Sequence, residues 1–136
     1  MGHSIIFMRF VDQDVVKFDL TALVSLLSMH GCEVGPPSEG SSAVSFPIVD
    51  GAETIGSEGY INLMEGGVES FSIERPYYDN AMKALWFDIL NSLDVCSFPS
   101  HGGVIHASRN IADHIPDDFL AQCDEGLIVV GSSAEL

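Results

Sequence analysis

The sequence predicts an α+β fold, a mixed and mainly antiparallel sheet with helices packed on one face. Three observations lead there. Residues 76–94, PYYDNAMKALWFDILNSLD, place Met82, Leu85, Trp86, Ile89, Leu90 and Leu93 at the spacing of one continuous apolar face of a 3.6-residue helix. Residues 68–74 before it alternate Phe71 and Ile73 with Ser70, Ser72 and Glu74, the period of a strand with one buried side. Residues 95–99 after it read as another strand, so the segment forms a strand, helix, strand unit.

Residues 4–10 are β-branched and aromatic on both faces apart from Arg9, which marks a central strand covered on each side. Asp12 and Asp14 break it. Asp19 is a suitable N-cap for a helix over residues 20–30, with Leu20, Leu23, Val24 and Leu27 as its buried stripe and Gly31 at the C-terminal left-handed position. Residues 33–42, EVGPPSEGSS, carry no periodicity and read as an exposed loop. Residues 43–49 alternate Val44, Phe46 and Ile48, and Pro47 within them points to an edge or a bulge.

Residues 50–59 are expected to form an acidic loop. Residues 60–65 and 68–74 then make a hairpin across Gly66-Gly67. Beyond Pro99 a loop with His101, Gly102 and Gly103 leads to a short strand at residues 104–107. A short helix is expected over residues 115–123, with Pro116 at its first position and Asp117 and Asp118 complementing the dipole in its first turn. Residues 127–130, LIVV, look like a compact buried strand. Taken together, the alternation of strands and helices with a hairpin in the middle fits a split βαβ arrangement of the ferredoxin-like kind.

At 136 residues the chain is read as one domain, 1–136, long enough to bury a core without disulfide or metal staples. Twenty Asp and Glu against five Lys and Arg give a net charge of -15, which argues against nucleic acid or an anionic membrane as a direct partner, since both need a basic footprint. The imbalance favours cationic partners, or serves solubility alone. Cys32, Cys96 and Cys123 are widely spaced and odd in number, with no CxxC, a pattern suited to a reducing cytoplasm. Residues 1–10, MGHSIIFMRF, read as a first strand and not as a signal peptide, because the apolar run is short and no small-residue cleavage site follows. Ile6 breaks the myristoylation pattern, and no apolar run approaches membrane-spanning length.

Motifs that carry chemistry are sparse. Cys96, His101 and His106, with Cys123 or His114 as a fourth, have ligand types suited to zinc, but no CxxC or HExxH fixes their geometry, and unrelated loop and core positions are the better account of them. No cysteine is flagged as an activated nucleophile, because an acidic neighbourhood raises a thiol pKa. Gly66-Gly67 and Gly102-Gly103 lack the phosphate-cradle spacings and read as turns. The residues therefore describe a protein that is not an enzyme and holds no cofactor. Trp86 at helical spacing reads as core. Tyr77 and Tyr78 are candidates for an exposed aromatic anchor as much as for packing at the helix start.

The acidic segments are the most informative feature. Asp50, Glu53 and Glu58 share one segment, Glu65 and Glu69 flank the Gly66-Gly67 turn, and Asp113, Asp117, Asp118, Asp124 and Glu125 cluster around the last helix. Converging on one face, they would make a negative patch able to steer a basic protein. A small acidic domain whose strand ends in SIERP and runs into an amphipathic helix, here residues 68–99, resembles the bacterial immunity proteins of contact-dependent growth inhibition and other polymorphic toxin systems. That resemblance implies a cytoplasmic protein that binds a cognate toxin domain, often a basic nuclease, and blocks its active site. The alternative is a small enzyme or a ligand- or metal-binding domain using a cleft near Cys96, His101 and His106.

Overall fold

The computed structural model describes residues 4–35, 42–50, 53–65, 67–75, 80–100, 103–123, 125–132 and 136, with residues 49, 50, 53–56 and 122 described by their backbone alone. The predicted loop at residues 33–42 falls largely outside them. The described elements are β1 (Ser4–Val11), β2 (Asp14–Val16), α1 (Leu20–Met29), β3 (Ala43–Asp50), β4 (Glu53–Met64), β5 (Gly67–Glu74), α2 (Asn80–Leu93), β6 (Cys96–Pro99), β7 (Ile105–Ala107), a 3-10 turn (Ala112–His114), α3 (Asp117–Gln122) and β8 (Leu127–Val129). The fold is thus α+β, as predicted, with a mixed and mostly antiparallel open sheet.

The strands run in the order β3-β4-β5-β1-β6-β7-β8, with β2 pairing off this path to the far end of β1. Described neighbours are antiparallel except β7 and β8, which are parallel. Of the two expected breakers Asp12 follows the end of β1, but Asp14 already pairs back with Val11 as the first residue of β2, the turn between them being Asp12 and Gln13 at positive φ, 50° and 69°, as a tight hairpin turn requires. β1 lies between β5 and β6 and is antiparallel to both, so the two strands that α2 connects are not neighbours. A ferredoxin-like order is not confirmed, because α1 leads to β3, which lies antiparallel to β4 at one edge of the sheet, and further strands extend the other edge.

Helices cover both faces, and this corrects the expectation of one. Ile5 and Phe7 of β1 belong to a large core with Leu23 and Leu27 of α1 and Ile89 and Leu90 of α2. Phe10 belongs to a smaller core with Cys96, Ile105, Ile111, Ile115 and Cys123, against which Met8 and Phe119 pack. A strand apolar on both sides needs a cover on both sides, and the 3-10 turn and α3 supply the second. Phe119 sits with its ring centroid 4.5 Å from that of Phe98 and 5.5 Å from that of Phe10.

α1 begins where its cap places it, with the Asp19 carboxylate accepting the Thr21 N–H at 3.1 Å, and Gly31 takes φ 90° after its end. Its fully buried residues are Leu23, Leu26 and Leu27, so Leu26 takes the place expected for Val24. In α2 the buried residues are Met82, Leu85, Trp86, Ile89, Leu90 and Leu93, the whole predicted face. Pro47 lies on edge strand β3, where the pairing with β4 also shifts register, so it satisfies both the edge and the bulge reading.

Four expectations are corrected. The expected acidic loop at 50–59 is instead the end of β3 and the first half of β4, with Asp50 paired to Glu53. Gly59 owes its place to close packing, since a Cβ there would lie 2.4 Å from Phe46 Cζ. The hairpin turn falls one residue earlier than Gly66-Gly67, because Met64 pairs with Gly67 and Glu65 takes φ 42°. Pro116 is the N-cap of α3 and not its first residue. β8 is an edge strand paired only to β7 among the described strands, with Ile128 and Val129 39% and 41% exposed; of LIVV only Val130 is fully buried.

Candidate functional site

β4 and β5 alternate strictly enough to sort their side chains. Ile61, Phe71 and Ile73 turn into the large core. Their alternates, Glu58, Tyr60 and Asn62 on β4 and Ser72 and Glu74 on β5, turn to the other face, which α3 leaves open at this end of the sheet. The register sets Glu58 against Glu74, Tyr60 against Ser72 and Asn62 against Ser70. With Arg75 these residues line an open concavity of 570 Å³.

Its electrostatics centre on the two opposed carboxylates. Like charges directly opposite on neighbouring strands are destabilising, and each is held by a hydroxyl. The Tyr60 hydroxyl donates to Glu58 Oε2 at 2.9 Å, and the Ser4 hydroxyl donates to Glu74 Oε2. The bond to Glu58, and next the charge of that carboxylate, push the Tyr60 phenol above its ordinary pKa, which keeps it a donor. Arg75 Nη2 stands 3.7 Å from Glu58 Oε1 with both side chains largely solvated, a pair of little strength. Arg75 itself is at φ 52°, and its carbonyl accepts the Ser57 hydroxyl at 2.7 Å. The site offers a donor-rich cation two preoriented carboxylates, with amide and hydroxyl groups beside them.

The sequence-predicted residues are not gathered here. Glu58 is present. Glu65 and Glu69 are exposed at the opposite end of the hairpin, roughly 20 Å away at strand rise, and the Glu65 carbonyl accepts from Lys17 Nζ at 3.1 Å. Asp113, Asp117 and Asp118 are exposed on the segment that covers the smaller core, and Glu125 is exposed just before β8. Asp50 and Glu53 are placed by backbone only, and Tyr77, Tyr78 and Asp124 lie outside the described residues. Tyr60, Ser72, Glu74 and Arg75 were missed, although the alternation of residues 68–74 already set Ser72 and Glu74 on one face.

Of the alternative cleft near Cys96, His101 and His106, the described residues Cys96 and His106 face opposite sides of the sheet. Cys96 pairs with Ala107 and Ser97 with His106, so Cys96 turns into the smaller core while His106 turns to the α2 side. Burial pushes the Cys96 thiol up to about 12, far from the thiolate a nucleophile or ligand needs. His114 Nδ1 accepts the Asp12 N–H at 3.0 Å, at the β1–β2 turn, and His101 lies outside the described residues. Among the described residues no three His, Cys, Asp or Glu side chains converge as a metal site, and no helix is long and apolar enough to cross a membrane.

On the α2 side a second cavity, of 270 Å³, is lined by Ile5, Trp86, Pro99, Gly103, Val104, His106 and Glu125. The Trp86 indole N–H donates to the fully buried Ser97 hydroxyl at 2.7 Å, and the His106 ring meets the indole edge-on with centroids 5.1 Å apart. Burial lowers the His106 pKa, which favours the neutral imidazole. Comparison of the chain with protein-family models, curated proteins and solved structures finds no match.

Proposed function

We propose that the chain is a binding protein for a basic partner, and specifically a cytoplasmic immunity protein that neutralises a cognate toxin domain by covering its active site with an acidic surface. A nuclease is the toxin class whose phosphate-binding cleft is basic enough to fit. The observation that carries this reading is the opposed Glu58–Glu74 pair on the open face of β4 and β5, each carboxylate preoriented by a hydroxyl. A sheet face serving only solubility gains nothing from setting two like charges opposite one another. A partner's guanidinium or ammonium group between them turns the repulsion into two charge-assisted hydrogen bonds.

The net charge of -15 extends that local arrangement into a long-range attraction. The test is association with a candidate basic toxin domain, followed by stopped flow at several salt concentrations. A fast on-rate at low salt that falls steeply with ionic strength, and an off-rate raised tenfold or more by Glu58→Gln with Glu74→Gln, is the expected result. A complex indifferent to both salt and the double substitution removes the acidic face from the mechanism.

A further inference from the structure

The cavity at Trp86 lies on the opposite side of the sheet from Glu58 and Glu74. Ile5 and Pro99, paired across β1 and β6, both line it, whereas Ser4, the next residue along β1, reaches Glu74 on the other face. Its walls are held in place from several directions. The indole is fixed by its bond to Ser97, and the imidazole stands T-shaped to it at an interplanar angle of 75°. Gly103, at φ 122°, brings its backbone so close that a Cβ would stand 3.0 Å from Pro99 Cγ and 3.5 Å from Glu125 Oε2. Small-ligand sites have this composition, mostly apolar walls with few and fixed polar groups.

The polar groups define the ligand. A carboxylate accepts only, and a neutral imidazole adds one donor and one acceptor. An indole attracts cations to its face. Ile5, Pro99 and Val104 leave an apolar body as the rest of the occupant. We propose that this cavity binds a small organic cation, an ammonium or amidinium group on an apolar stem, with Glu125 as its counter-charge and Trp86 and His106 as its walls. The same chemistry is carried by a free amine or by a basic side chain of a protein.

Trp86 is the only tryptophan in the chain, so its emission reports directly on occupancy. Titration with benzylamine and benzamidine, with benzyl alcohol as the neutral isostere, is followed by fluorescence and repeated by calorimetry. Saturable binding of both cations at least tenfold tighter than the alcohol is expected, and Glu125→Gln reduces that preference about tenfold. Glu125 is exposed, so the variant keeps its fold. Asp117→Asn with Asp118→Asn, which lowers the net charge away from the cavity, leaves the preference intact. Displacement of benzylamine by a blocked arginine amide assigns the cation to a protein side chain; binding of benzylamine without such displacement assigns it to a free amine. Absence of saturable binding, equal affinity for the alcohol, or an equal loss in the Asp117 and Asp118 variant overturns the proposal. None of these outcomes bears on the Glu58–Glu74 face, which this cavity does not share.

Discussion

His106 shows how one side chain couples site and stability. Half-buried against Trp86, it has a pKa lowered from the ordinary 6.5 by burial, so the folded chain holds it neutral more firmly than the unfolded chain does. As pH falls below about 6.5 the unfolded state takes up the proton first, and linkage then draws the equilibrium toward unfolding. The contribution is complete above the unfolded pKa and is lost as pH falls toward the folded one. The difference in melting temperature between the native chain and His106→Gln should therefore be constant from pH 7 to 8 and shift against the native chain between pH 6.5 and 5. Parallel curves over that whole range would show that burial does not hold the imidazole neutral. His106 was legible as a candidate residue, but its partner was not. The sequence places Cys96 and His106 ten positions apart, and only the pairing of Ser97 with His106 reveals that the two face opposite sides of the sheet.

At the scale of elements, legibility follows the strength of the local pattern. α2 was readable to the residue because six apolar positions recur at helical spacing and all six are buried. The first half of β4 was not, because acids and glycines over residues 53–59 carry the composition of a loop while tertiary packing against β3 imposes a strand. Gly59 is the clearest instance. The Phe46 ring occupies the space where a side chain would stand and stacks on Phe71 with centroids 6.0 Å apart, so a glycine that looked like a turn signal is a packing requirement. Gly59→Ala should cost about 1 to 3 kcal/mol, the usual penalty of overpacking a filled core, and denaturant melts measure it directly. A loss below about half a kcal/mol would mean that Phe46 has room to move and that β4 is held by its ladder alone. The acidic residues expected to converge were dispersed for the same reason. Glu58 lies midway along β4 and Glu65 just past its end, and a spacing of seven residues in an extended chain cannot be closed.

Across the whole molecule the charge imbalance works against the compact state. With twenty acids and five Lys and Arg, most carboxylates have no cation to pair with, and folding brings them closer together than the unfolded chain does. Salt screens exposed charges beyond about 10 Å at 0.1 M, so the melting temperature should rise as ionic strength goes from about 0.01 to 0.1 M. The opposed Glu58–Glu74 pair should account for a disproportionate share of that rise. Replacing both by Gln keeps an acceptor oxygen for the Tyr60 and Ser4 hydroxyls while removing the facing charges, whereas replacing the exposed Glu65 and Glu69 by Gln lowers the net charge equally without relieving such a pair. At low salt the first double variant should be more stable than the native chain by roughly 0.2 to 1 kcal/mol, the scale of a cross-strand pair. The second should gain less, and high salt should narrow the difference. If the same substitutions that stabilise the fold also weaken association with a basic partner, stability and binding compete at that pair, as is common where a binding site is built from mutually repelling groups. Loss of stability in the Glu58 and Glu74 variant at low salt would instead make the two carboxylates part of what holds β1, β4 and β5 together, and their role in recognition would lose its main support.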